Sequence, residues 1–292
     1  MSAENPAHPA ATVILLRDSA TGPEIFMVRR NAGTSFMAGQ HVFPGGKVDG
    51  ADRQPVDSGW FDGAGRAVLH WPDLSPAEAI AYHVAAAREL FEEAGVLLAR
   101  GTTGGLVSLA DAADHARFTG HRRAVHAGTL TLDILMARET LRLALDTLLP
   151  WAHWVTPPVT TRRFDTRFFV ARLPPDQTPV HDEAETIDSE WTSAAGALDN
   201  ARRGNIVLPP PTWMTLRELE AFDSVDEILA SVPSRDQQRR EPLLAEQDGS
   251  RMMIMPGDPE YGVDTMISAP PLYETRFVWR DGQWRATYYE RS

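Results

Sequence analysis

Three glutamates define the chemistry this chain can do. Glu89, Glu92 and Glu93 lie in the run Arg88-Glu89-Leu90-Phe91-Glu92-Glu93-Ala94-Gly95-Val96. On a helix, the spacing i, i+3, i+4 puts the three carboxylates on one face, while Ala87, Leu90, Phe91 and Ala94 form an apolar stripe. Like charges on adjacent turns cost about a few tenths of a kcal/mol per pair, and Arg88, four residues before Glu92, offsets only part of that. A divalent cation would offset the rest. Hard ions such as Mg²⁺ take oxygen ligands, keep several waters and bridge carboxylates to substrate phosphates. Charge clusters are more often solvated helix faces, so the flanking residues must decide.

The elements around the run are consistent with its being a positioned helix. Ser75-Pro76-Ala77-Glu78 combines a capping serine, a proline at the first helical position and a glutamate three residues after the serine, and Gly95 can take the left-handed conformation that ends a helix. The predicted helix therefore reaches Ala94. Upstream, apolar runs at 11–16 and 24–29 flank DSATGP and read as a β-hairpin, the start of a mixed or antiparallel sheet. The glycine-rich FPGGKVDG follows, in which Gly45 and Gly46 let the backbone turn tightly and approach a metal or phosphate. Residues 51–74 read as a polar, turn-rich stretch. Downstream, the pattern predicts helices near 106–118 and 131–148, strands in LPWAHWVTPP and DTRFFVARLP, a short strand from Ile187 to Trp191, and helices over 193–203 and 212–231. From about Glu241 the pieces are β-like, with a hairpin signal at Asp281-Gly282.

Composition narrows the function class. The 292 residues can bury a full core, and no stretch approaches the roughly 18 apolar residues of a membrane span. With no cysteine, any metal must sit on carboxylates, imidazoles or carbonyls. A net charge of -12 disfavours a nucleic-acid partner but suits a phosphorylated small molecule bridged by cations. The first residues lack the basic start and apolar run of a secretory signal, so the expected location is cytoplasmic. None of the nine histidines shows ligand spacing.

Gly46, with the helix bearing Arg88 to Val96, resembles the Nudix box: Gly, five residues, Glu, seven residues, then Arg-Glu-apolar-x-Glu-Glu-x-Gly-apolar. The second half matches at every fixed position. In the first half Asp52 stands where the box has Glu, and residues 53–87 separate it from Arg88. An interrupted box resembles the branch of the Nudix superfamily that includes the mammalian peroxisomal coenzyme A diphosphatase and its bacterial relatives. Also similar to that branch are Phe43-Pro44-Gly45-Gly46, WVTPPVTTRRFDTRFFVARLP at 154–174, LPPP at 208–211 and MPGDPEY at 255–261. In the upstream coenzyme A-directed pattern, Arg30, Gly39 and FPGG fall at the right spacing, but Ser35 replaces the second arginine.

The resemblance implies an α/β fold, a Nudix α/β/α sandwich with a mixed β-sheet. Its Nudix domain would span 1–240, with the box at 46–96, an insertion at about 53–74 and a helical insertion at about 100–148; a β-rich extension, 241–292, would pack on it. The implied activity is metal-dependent hydrolysis of a diphosphate linkage, in coenzyme A or an acyl derivative. ADP-ribose, NADH and dinucleoside polyphosphates are rival substrates, and a non-catalytic Nudix-fold binding module is the rival of another class. Glu92 and Glu93 are the implied ligands of Mg²⁺ or Mn²⁺, and Glu89 is a third ligand or the base. Arg88 would orient a glutamate, and Glu183 or Glu185 would complete the metal set. Gly45, Gly46, Lys47 and Arg30 are the substrate-binding candidates. Asp49 and Asp52 are outer ligands or loop caps. Trp and Phe residues at 151–169 would stack on adenine or fill the core. The box insertion and the helices after Gly95 leave a lid or a homodimer contact open.

Overall fold

The computed structural model describes residues 5–31, 33, 37–158, 160, 162–182, 185–247, 249–261, 274–281 and 283–287. β1 (His8–Ser19) and β2 (Gly22–Arg30) form the predicted hairpin, turning at Gly22 with φ 115°. Past it, β3 (His41–Val42) pairs with β2 and β4 (Gly45–Lys47) pairs with β1, so the glycine-rich segment crosses between the two hairpin strands. Then come β5 (Phe61–Asp62), α1 (Ala64–His70), α2 (Pro76–Ala94), β6 (Ala99–Arg100), α3 (Ala112–His126), α4 (Leu132–Glu139) and β7 (Arg142–Ala144). β8 (Leu149–Val155), β9 (Phe164–Arg172) and β10 (Thr186–Thr192) return to the main sheet, followed by α5 (Ala194–Arg202), α6 (Pro210–Leu219), α7 (Val225–Ser231) and β11 (Arg239–Arg240). The chain closes on β12 (Leu243–Gln247), β13 (Ser250–Ile254), β14 (Arg276–Arg280) and β15 (Gln283–Thr287).

The main sheet runs β10-β2-β1-β9-β8-β11, with β3 and β4 beside β2 and β1. It is mixed, because β1 with β9 and β8 with β11 are parallel while β1 with β2, β2 with β10 and β8 with β9 are antiparallel. Alternation along β1 divides the core. Val13 and Leu15 pack with Leu90 and Phe91 of α2 on one face, and Ile14 and Leu16 with Trp213 and Leu216 of α6 on the other. Helices cover both faces, giving the expected α/β/α sandwich. Among the described residues no helix is long and apolar enough to cross a membrane.

Several sequence expectations are corrected. The stretch at 51–74 contains α1 and β5, and its Trp71 and Phe61 are buried in the α2-side core, Trp71 lying edge-on to Phe169 at 5.8 Å. These two aromatic side chains belong to the core, while Arg53, Pro55, Val56 and Asp57 stay exposed. The helix expected at 106–118 starts later, where Asp111 caps it by accepting from the N–H groups of Ala113 and Asp114. The helix expected over 131–148 stops at Glu139, because Thr140 turns left-handed at φ 56° and Arg142–Ala144 pairs with β6 and β5. The 212–231 helix is two helices, the second capped by Ser224. Trp151, Trp154, Phe168 and Phe169 are buried as core, while Phe164 is half-buried.

β12 to β15 form a separate antiparallel sheet. Phe277 meets Trp213 of α6 edge-on at 6.0 Å, and Glu274 accepts from Trp213 Nε1 and from Arg202. The β14–β15 hairpin pairs Arg280 with Gln283 across Asp281, which is left-handed at φ 50°; Gly282 of the expected turn lies outside the described residues.

Candidate active site

Helix α2 is held at both ends by the residues that predict it. Ser75 and Glu78 exchange a capping box, with Ser75 N–H donating to Glu78 Oε2 at 3.0 Å, and Gly95, at φ 71°, donates its N–H to Phe91 O at 3.0 Å. Its apolar stripe, Ala86, Ala87, Leu90, Phe91 and Ala94, is buried against the sheet. That burial fixes the helix rotation and turns the glutamates toward β4.

Two glycines make the approach of helix and strand possible. Gly45 N–H donates to Glu93 Oε2 at 2.9 Å. A Cβ on Gly46 would stand 2.5 Å from Glu89 Cδ, and one on Gly45 would stand 2.7 Å from Thr12 Oγ1, so side chains at either position would collide with the site or the sheet. Lys47 is exposed and meets the site through its carbonyl, which accepts from Arg88 Nη2 at 2.7 Å.

Arg88 is the hub. Its Nε and Nη2 donate to Asp52 Oδ1 and Oδ2 at 2.9 and 3.0 Å, and Nη1 donates to Glu89 Oε1 at 2.9 Å and Glu92 Oε1 at 3.0 Å. Asp52, 2% exposed, also accepts the Asp49 N–H at 2.7 Å. It therefore both caps its loop and clamps Arg88. The two halves of the split box meet through this forked pair, although 53–87 intervene in sequence. Asp49 is peripheral, 3.8 Å from Arg88 Nη2.

Beyond the box, Arg30 reaches Glu93 Oε1 at 3.9 Å and Glu185 Oε2 at 3.5 Å. Glu185 is thus brought beside the box, while Glu183 lies outside the described residues. Asp182 is a residue that sequence reasoning missed. It accepts from Thr186 N at 2.8 Å, Thr186 Oγ1 at 2.6 Å and Glu185 N at 3.2 Å, pinning the loop that carries Glu185. Arg122 and His126 of α3 were also missed. Arg122 donates to Glu92 O and Val180 O, each at 2.8 Å, and His126 Nδ1 lies 3.8 Å from Glu92 Oε2 and 3.9 Å from Asp182 Oδ2. Their spacing of four residues was the only local signal; the partners are distant in sequence.

Two guanidiniums, Arg30 and Arg88, face six carboxylates, those of Asp49, Asp52, Glu89, Glu92, Glu93 and Glu185. Burial raises Glu89 to about 7, opposed by Arg88 and reinforced by Glu92. Glu93 is pushed well above the usual carboxylate range by burial and by Glu89, against the pull of Arg30 and the Gly45 N–H. Glu92 is also raised, chiefly by burial. Arg88 moves upward because Asp52, Glu89 and Glu92 outweigh its own desolvation.

Excess buried negative charge on oxygen donors is the property a hard divalent cation satisfies, and the missing Cβ of Gly46 leaves room for the Glu89 carboxylate. Among the described residues no three acidic or histidine side chains are gathered tightly enough to enclose an ion as they stand. The carboxylates of Glu89 and Glu92 are drawn to Arg88 instead. The donor type and charge therefore fit a hard divalent cation, which Glu89, Glu92 and Glu93 would hold.

The mixed sheet between helices, with a glycine strand against a glutamate helix, defines a Nudix-type hydrolase site. Residues 70–219 match the family profile described as NUDT19 Nudix domain. The chain is 30% identical to human "Acyl-coenzyme A diphosphatase NUDT19", covering 84% of this chain and 74% of that protein. It is 26% identical to the Xenopus laevis protein of the same name, over 82% and 72%. A Nudix hydrolase structure from Alicyclobacillus acidocaldarius superposes with a TM-score of 0.64 and 26% identity, covering 79% of this chain and 98% of that one. The chain belongs to the NUDT19 family of Nudix hydrolases, enzymes that use divalent metal ions to hydrolyse diphosphate linkages.

Proposed function

We propose that this enzyme hydrolyses the diphosphate linkage of coenzyme A or an acyl-coenzyme A, giving 3′,5′-ADP and (acyl-)4′-phosphopantetheine. The observation that carries the reading is the likeness to the human protein, whose name gives it that substrate and which this chain matches along most of its length. The site supports it, since the split box is rejoined by the Asp52–Arg88 fork.

Glu92 and Glu93 would hold Mg²⁺ or Mn²⁺, with Glu89 as the third oxygen donor or as proton acceptor. When bound, such an ion neutralises charge on the diphosphate and makes water easier to deprotonate. If Glu89 serves as the base rather than as a third ligand, its raised proton affinity would suit it to take the proton of the attacking water. Arg30 offers a half-buried guanidinium for a substrate phosphate. Gly45 and Gly46 would serve the site by letting β4 lie close against Thr12 and the Glu89 carboxylate, and Glu185 would reach the same space from the loop before β10.

The test is chromatography of products after incubation with Mg²⁺ or Mn²⁺ and coenzyme A, acetyl-coenzyme A, ADP-ribose, NADH or diadenosine tetraphosphate, with Glu92→Gln as control. The expected result is 3′,5′-ADP from the coenzyme A substrates with the unaltered protein alone. Cleavage of another member, with coenzyme A untouched, overturns the substrate reading and leaves the diphosphatase.

A further inference from the structure

The loop carrying Asp182 and Glu185 and the box helix carrying Glu92 and Glu93 are far apart in sequence, yet they must hold a fixed spacing if both supply oxygens to one site. Helix α3, outside the box, spans the two. Its Arg122 donates from Nε to Glu92 O and from Nη2 to Val180 O, each at 2.8 Å. One turn later, His126 Nδ1 stands between Glu92 Oε2 at 3.8 Å and Asp182 Oδ2 at 3.9 Å. Residues at i and i+4 on one helix face thus touch the same two segments, one at the backbone and one at the side chains.

The local physics favours this geometry. Glu92 O belongs to the last turn of α2, where carbonyls lack helical partners and the helix end carries partial negative charge. A guanidinium there satisfies an orphan acceptor and the field together, and its planar fork reaches a second carbonyl without a change of rotamer. Gly95 leaves room, since a Cβ at that position would come within 3.1 Å of Arg122 Nη1. The Val180 N–H bond to Ala94 O, at 3.0 Å, ties the loop to the helix end directly. From Val180 the restraint runs to Asp182, which holds the Glu185 and Thr186 N–H groups, and Glu185 meets Arg30, which meets Glu93. Phe118 and Val125, buried in the core, anchor α3 itself.

We propose that Arg122 is a positioning residue for the diphosphatase site, setting the distance between the box glutamates and the acidic loop at 180–185, with His126 as a weaker second spacer. The inference rests on the metal-dependent reading above. Its role is to keep the two oxygen-bearing segments ready for one cation, so the loss of Arg122 acts on cation affinity and turnover rather than on substrate capture.

The experiment measures Mn²⁺ affinity by electron paramagnetic resonance of free Mn²⁺, in parallel with coenzyme A hydrolysis, for the unaltered protein, Arg122→Ala, Arg122→Lys and His126→Ala. Arg122→Ala is expected to weaken Mn²⁺ binding and lower kcat by about 10–100-fold, the range for groups that orient metal ligands, with KM changed little. Arg122→Lys, which keeps charge but not the fork, recovers only part, added methylguanidine restores Arg122→Ala toward normal, and His126→Ala has the smaller effect. Mn²⁺ affinity unchanged in Arg122→Ala overturns the proposal. So does a loss that methylguanidine leaves untouched and that follows the thermal unfolding curve, since that marks a merely structural residue. Should the unaltered protein hydrolyse nothing, the functional reading fails while the Mn²⁺ comparison still decides the role of Arg122.

Discussion

At the scale of single residues, the site is governed by crowding, both steric and electrostatic. Gly46→Ala should drive a methyl group into the Glu89 carboxylate, with a cost of about 1–3 kcal/mol of strain or a displaced side chain. We expect activity to fall sharply with the melting temperature lowered by only a few degrees; normal activity in this variant would mean that Glu89 has no fixed place. The raised carboxylates make a second, signed prediction. A carboxyl whose folded pKa lies above its unfolded value stabilises the fold below the unfolded value, and that contribution disappears as pH rises through the folded one. Glu89 rises from 4.5 to about 7 and Glu93 rises as well, chiefly through burial and then through neighbouring carboxylates, so metal-free protein should lose stability across that window as these buried groups ionise. Mg²⁺ should then raise the melting temperature more at pH 8 than at pH 5. Equal gains at the two pH values would show that the cation does not bind these carboxylates.

Elements act by bringing distant residues onto one another. The turn at Asp52 and helix α2 are joined by a buried fork, and breaking such a pair from one side leaves an uncompensated charge, at a cost of roughly 3–5 kcal/mol. Asp52→Ala and Arg88→Ala should each destabilise strongly, and the double variant by clearly less than their sum. Urea unfolding of the three variants measures this. Strict additivity would mean that the two halves of the box are held together by something else. Much of α2 itself was legible from Ser75, Pro76, Glu78 and Gly95, because caps act locally. The Asp52–Arg88 contact was not legible, since the insertion between them folds as α1 and β5 and returns the chain to its starting point.

For the whole molecule, the second sheet shares its core with α6. Phe277 is fully buried against Trp213, so Phe277→Ala should cost about 3–5 kcal/mol in urea unfolding, with one cooperative transition if the sheet and the sandwich unfold together. A stability loss confined to a separate early transition would show that β12 to β15 unfold independently, as an extension at 241–292 only loosely joined to the main domain. The sandwich reading followed from strand alternation and helix signals that span most of the chain. Trp71, Trp151 and Trp154 illustrate what they cannot supply, because an aromatic residue has the same local pattern whether it lines a binding surface or fills a core.

Whereas Gly45 and Gly46, expected as a tight turn, form a strand paired with β1, the sequence by itself determined the box helix, its caps, the three glutamates on one face and the family they define. These depend on spacing within a few residues, which local backbone geometry converts directly into position. Tertiary structure decided which partners those residues meet: Asp52 for Arg88, Gly45 for Glu93, Arg30 for Glu185, and Arg122 and His126 across two segments. Such contacts depend on where insertions fold, and the burial that lifts the glutamates exists only once the sheet, α2 and α3 have closed around them.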